Sequence, residues 1–323
     1  MRVRSIASRF VSLRLLLVTA VIFALGSGTA IAAGSLWEVG SATGALVRSN
    51  GGTAYTRLST GTYQADFNSD QTKCAYVATP GDTGAGAVAG PVIATVASRA
   101  GDPKGLFIQT FNQSSSAVVD DPVHVATYCG KGFWAVVGGD GTLARGSKVA
   151  SSAHLSTGNY EVIFTKKVKK CAFTASIGTT GIGSAAAAEI TVAGRAGNQF
   201  GVFVHTMNAA GTPVDSAFHL AVTCSKDIAV IEADGSKARG SHVTSSTKLG
   251  GSGTGTYEVI FDRTVSGCAY TATVGVSTFG GSVSTPVTIT TATRAGNPNG
   301  VFVFIHKTDG TTIDEPFHLQ VSC

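Results

Sequence analysis

The chain has 323 residues, 43% apolar and only 13% charged, with 41 glycines and a formal net charge of +5. Four arginines at the N-terminus (Arg2, Arg4, Arg9 and Arg14) carry most of that excess, and without them 20 basic residues face 19 acidic ones. The clustered positive charge that nucleic acid or an anionic membrane requires is therefore lacking, and the apolar content excludes a disordered chain.

Residues 1–32 differ from all that follow. The arginines precede an apolar run from Leu15 to Leu25 and then small residues at Ala30-Ile-Ala32. This pattern predicts a secretory signal helix cut before Ala33. The run falls well short of the roughly 20 residues that cross a hydrocarbon core. The expectation is a secreted or cell-surface protein with no membrane contact beyond the leader.

Beyond the leader the sequence is written three times, and the units are read as domains at 33–129, 130–224 and 225–323. Each opens on an apolar strand: Leu36-Trp37-Glu-Val39, Phe133-Trp134-Ala-Val-Val137 or Ile228-Ala-Val-Ile231. An arginine follows 11 residues after the second position of the first two and 11 after Ile228 of the third, giving Arg48, Arg145 and Arg239. A tyrosine strand comes next, Gly61-Thr-Tyr63, Gly158-Asn-Tyr160 and Gly255-Thr-Tyr257, repeating at an offset of 97 residues. Then come a cysteine strand opening at Cys74, Cys171 or Cys268, a Gly-rich loop, a β-branched strand and an Arg-Ala-Gly turn at Arg99, Arg195 or Arg294. An apolar strand such as Gly300-Val-Phe-Val-Phe-Ile305 follows, and then a closing strand ending at Cys129, Cys224 or Cys323.

Apolar residues alternate with period two through nearly all of these segments, and no sustained 3.6-residue period appears. About seven short strands per unit of about 95 residues, punctuated by Gly, Asp-Gly and Asn-Pro turns, predict an all-β protein. It is built of three tandem antiparallel β-sandwiches, Ig-like or jelly-roll-like. One central and one terminal cysteine per unit predict three bridges within units, as an oxidising compartment permits. Each bridge is expected in a core and worth about 4 kcal/mol in the chain-entropy model. Linkers as short as Gly130-Lys-Gly132 predict a semi-rigid rod or a compact cluster of three.

No nucleophile elbow, zinc helix, phosphate loop or dinucleotide fingerprint is present, and no cofactor or metal is expected. His124, His219 and His318 recur at the second position of the closing strand, where parity places them opposite the core, on the outer surface. Asp120, Asp215 and Asp314 recur before them and fit strand-initiating Asx turns as well as calcium ligands. Lys166, Lys167, Lys169 and Lys170 read as a solvated strand edge, and Trp37 and Trp134 as core. The turn arginines Arg99, Arg195 and Arg294 are expected first to bond backbone carbonyls and hold their turns; as possible ligand contacts they rank with the three histidines, since guanidinium favours bidentate contacts.

The motifs from Trp-Ala-Val-Val through Gly-x-Tyr-Glu-Val-x-Phe to Phe-His-Leu-x-Val-x-Cys resemble the two-cysteine β repeats of uncharacterised secreted proteins of high-GC bacteria. That likeness covers almost the whole chain after the leader and implies no activity. The Gly-x-Tyr-x-Val-x-Phe strand is also similar to the jelly rolls of complement globular heads and tumour-necrosis-factor-like proteins, which assemble as trimers; this implies fold alone. The expected function is a non-enzymatic structural or adhesive protein whose partner is a glycan, a cell wall or a protein. The alternative is a secreted carbohydrate-active enzyme with one active and two degenerate repeats.

Overall fold

A computed structural model describes Met1 and residues 36–323, apart from 87 and 89; the signal helix and its cleavage point lie outside the described residues. Within them every regular element is a strand.

Each repeat forms two antiparallel sheets. The first contains the opening strand (Leu36–Gly40, Phe133–Val137, Ile228–Ile231), an arginine strand (Leu46–Asn50, Leu143–Ser147, Lys237–Ser241), the closing strand (Val123–Tyr128, Phe218–Thr223, Phe317–Ser322) and the cysteine strand (Ala75–Pro80, Ala172–Ile182, Ala269–Phe279). The second runs from a rim strand (Gly52–Ser59, Val149–Ser156, Val243–Leu249) through the tyrosine strand (Thr62–Phe67, Asn159–Phe164, Thr256–Phe261) and the phenylalanine strand (Gly105–Asn112, Gly201–Met207, Gly300–Lys307) to a threonine strand (Val92–Ser98, Glu189–Gly194, Val287–Thr293). Repeat 1 adds a two-residue strand, Ala117–Val118.

Eight strands recur where seven were expected, because the chain changes sheets between the arginine and rim strands. It does so at a residue in the left-handed region three positions after the arginine: Gly51 (φ 78°), Lys148 (φ 56°) and His242 (φ 64°). Two of the three are not glycine, although side chains rarely adopt this conformation, and each carbonyl accepts a backbone hydrogen bond, from Asn68, Thr165 and Asp262 respectively.

The period-two pattern fills three cores. Tyr63, Phe67, Tyr76, Leu106 and Val125 anchor the first; Tyr160, Phe164, Phe173, Val204 and Phe218 the second; Tyr257, Phe261, Tyr270, Val303 and Phe317 the third. The bridges Cys74–Cys129, Cys171–Cys224 and Cys268–Cys323 each join adjacent strands of the first sheet, inside one repeat. They do not lie wholly in the cores as expected: Cys74, Cys171 and Cys268 are buried, but their partners stand exposed just past the end of the closing strand.

The repeats are neither separate beads nor a rod. The cysteine strand of repeat 2 pairs in parallel with the threonine strand of repeat 1 (Gly178 with Val96), and that of repeat 3 with the threonine strand of repeat 2 (Gly275 with Val192). Repeat 1 closes the circle on repeat 3, where Gly81 bridges Thr291 in parallel and the Asp82 amide donates to the Thr291 carbonyl at 2.9 Å. The three repeats thus surround a pseudo-threefold axis in one compact unit. Glycine is required at each junction, because a Cβ on Gly81, Gly178 or Gly275 would lie 2.5, 2.4 or 2.1 Å from the neighbouring carbonyl oxygen.

Candidate functional site

The recurring histidines mark the junctions. Expected on the surface, His124, His219 and His318 are instead fully buried. Parity correctly takes them off their own core, but a neighbouring repeat covers the face they occupy. The Tyr270 amide donates to His124 Nδ1, that of Tyr76 to His219 and that of Phe173 to His318, all at 2.9 Å. With Nδ1 accepting, each ring carries its proton on Nε2 and donates it to a carbonyl, that of Asp82, Thr179 or Val276, at 2.9 to 3.1 Å. Burial, aided by a nearby guanidinium, pulls all three imidazoles down to about 3. Each is a neutral hydrogen-bonding wedge rather than a metal ligand or binding strip.

The arginine strand completes the clasp. Arg48 Nε donates to the Cys268 carbonyl, Arg145 Nε to that of Cys74 and Arg239 Nε to that of Cys171, at 2.8 to 2.9 Å. The same guanidinium groups sit 5.9, 5.5 and 5.6 Å over the rings of Tyr270, Tyr76 and Phe173, a cation–π arrangement. Repeat 2 thus grips repeat 1, repeat 3 grips repeat 2, and repeat 1 grips repeat 3. Trp37, Trp134 and Ile228, expected in the cores, fill small apolar clusters at the junctions instead, against Ala269, Ala75 and Ala172 of the neighbouring repeat.

The turn arginines face solvent. Arg195 Nε donates to Glu161 at 2.6 Å, Arg294 to Glu258 at 2.5 Å and Arg99 to the Gln64 side-chain oxygen at 2.6 Å. Their partners sit on the tyrosine strand directly across from Phe107, Phe203 and Phe302, which are half-buried on the same face. Each repeat therefore presents a guanidinium, a carboxylate or amide and an aromatic ring on its outer sheet. At Arg195 the patch opens into a shallow depression of about 210 Å³ shared with Phe203 and Gly280 to Ser282. The phenylalanines were missed in the sequence, although Val-Phe-Val-Phe is apolar on both faces and so signals that its outer face is not wholly polar.

The recurring aspartates lock the loops before the tyrosine strand. Asp120 accepts from Arg57 and the Gly61 amide, Asp215 from His154 and the Gly158 amide, and Asp314 from Lys248 and the Gly255 amide. Each carboxylate is thus held between a basic side chain and a backbone amide. Lys166, Lys167, Lys169 and Lys170 are exposed as expected, but on the turn between the tyrosine and cysteine strands rather than along a strand edge.

Two buried carboxyl groups with unpartnered oxygens escaped the sequence reading. Glu38 points into the core of repeat 1, where the other repeats have Ala135 and Ala229, and neither of its oxygens has a hydrogen-bond partner. Glu189 lines a cavity where the three repeats meet, at a position held by Ile93 and Thr288 in the other two. No family model, curated protein or solved structure matches the chain.

Proposed function

We propose that the chain is a secreted or cell-surface, non-enzymatic adhesive protein that binds a glycan-bearing surface through the three outer patches at Arg99, Arg195 and Arg294. One observation carries this reading: the same guanidinium, polar oxygen and half-exposed phenylalanine recur on the solvent face of every repeat, held in fixed geometry about one axis. An aromatic face stacks on a sugar ring while the guanidinium donates to its hydroxyl or carboxylate oxygens. Three fixed copies multiply weak contacts through effective concentration. One chain thereby builds the threefold arrangement that the resembled jelly rolls build from three. The groups that an enzyme reading would use are engaged elsewhere: the closing-strand histidines bond across junctions, and Glu161 and Glu258 pair with arginine.

The test is binding of the intact protein to glycan and cell-wall arrays. Arg195→Ala should weaken retention modestly, and replacing all three turn arginines should weaken it by more than about tenfold, the signature of avidity. The two partly exposed ion pairs and the Arg99–Gln64 hydrogen bond lost contribute at most about 1 kcal/mol each to folding, so the triple variant should remain folded. Retention indifferent to the triple substitution, or turnover of a glycan by the intact chain, sinks the reading.

A further inference from the structure

At the pseudo-threefold axis lies a cavity of about 40 Å³, lined by matching stretches of the cysteine and threonine strands from all three repeats. A ring of hydroxyl groups surrounds it. Ser176 Oγ accepts from the Ala78 amide at 2.9 Å and donates to the Ala78 carbonyl at 3.0 Å. Thr273 does the same to Ala175 at 2.8 and 3.1 Å, and Thr79 to Ala272 at 2.9 and 3.2 Å. Each hydroxyl spends its proton and one lone pair on the neighbouring repeat and keeps the other lone pair.

Two further oxygens on the same lining have no partner at all. Glu189 Oε1 and Thr288 Oγ1 are both buried without a hydrogen bond, and the Glu189 side chain is 2% exposed. Leaving a carboxyl group buried and unpaired is costly, and here the cost is concentrated at one of three equivalent positions. Met207 is the cross-strand neighbour of Glu189, and His306 that of Thr288.

We propose that this axial cavity binds one dehydrated monovalent cation, of sodium or potassium size, through the Glu189 carboxylate, Thr288 Oγ1 and the hydroxyls of Thr79, Ser176 and Thr273. An all-oxygen set suits a hard cation. Charge balance selects its valence: burial favours the protonated form of Glu189, so a monovalent ion that replaces the proton leaves the site neutral, whereas a divalent ion would leave a buried net charge. The space holds about three water-sized spheres, enough for an ion with one or two waters. The bound ion would tie together oxygens contributed by all three repeats.

The test uses the whole protein in choline chloride at constant ionic strength, titrated separately with potassium, sodium and magnesium. The thermal midpoint should rise in proportion to the logarithm of potassium or sodium concentration once the site fills, and magnesium should have no such effect. Thallium-205 NMR should report one bound thallium ion per chain, displaced by potassium. Glu189→Thr, which installs the residue of repeat 3, should abolish both signals while leaving the far-ultraviolet spectrum and three disulfides intact. A wild-type midpoint identical in choline, sodium and potassium overturns the proposal, as does thallium binding that survives Glu189→Thr. If the variant fails to fold, the wild-type ion comparison decides alone.

Discussion

Glu38 shows how a single residue alters one repeat without altering the fold. Where repeats 2 and 3 place Ala135 and Ala229, repeat 1 inserts a carboxyl group, and it offsets the added volume at Gly52, whose counterparts are Val149 and Val243. A Cβ on Gly52 would lie 2.3 Å from Glu38 Cγ. Burial, reinforced by Asp66, raises the Glu38 pKa to about 9. The folded state therefore keeps a proton that the unfolded chain releases near its ordinary value. The resulting stability is complete below that value, declines as pH rises from about 4.5 to about 9, and is gone above it. Glu38→Gln keeps the shape and removes the titration, so the difference in urea midpoint between variant and wild type should widen from pH 5 to pH 9. A constant difference across that range would show that Glu38 is ionised in the fold. Nothing near Glu38 in the sequence marks it as buried, because it sits in an alternating strand and its compensating glycine is 14 residues away. The turn arginines were legible as a repeated polar feature, whereas their phenylalanine neighbours emerge only when the strands are paired.

At the scale of the strand, the alternation made the elements and the inward faces readable, since Tyr160, Val162 and Phe164 point into one core as their spacing demands. Which outward faces meet water was not readable, because that depends on packing between repeats that local periodicity does not record. A signal was nevertheless present: opening strands such as Phe133-Trp134-Ala-Val-Val137 are apolar on both faces, the mark of a strand covered on both sides. The closing strand carries the same message in its buried histidine. His219→Ala leaves the Tyr76 amide unpaired at a junction and should cost about 1 to 3 kcal/mol, with the void adding to it. Chemical denaturation at pH 7.5 measures this, and a loss below about 0.5 kcal/mol would mean that water replaces the ring. The three histidines also set an acid limit. Their folded pKa near 3 lies below the ordinary 6.5, so their contribution is complete above about 6.5 and is lost as pH falls toward 3. Replacing all three with glutamine should flatten the stability profile in that window.

For the molecule as a whole, the ring makes the junctions as structural as the cores. Each repeat offers one neighbour an arginine, a histidine and an apolar plug and receives the same from the other, so unfolding one repeat strips two interfaces at once. A single cooperative transition in calorimetry follows, rather than three. Closure also means that the linkers hold nothing together that the junctions do not. Introducing a protease site at Lys131, an exposed residue between the first two repeats, gives a direct measurement. After cutting, the protein should elute from gel filtration at its original volume, while denaturing electrophoresis without reductant should separate two fragments, because every disulfide lies within one repeat. Combining the cut with His219→Ala and Arg145→Ala removes the clasp of repeat 2 on repeat 1 but leaves that of repeat 1 on repeat 3 through His124 and Arg48. The nicked double variant should therefore stay assembled but melt at lower temperature, and only further loss of the second clasp should release repeat 1. Release of repeat 1 by the cut alone would show that the covalent linkers, not the junctions, hold the ring closed.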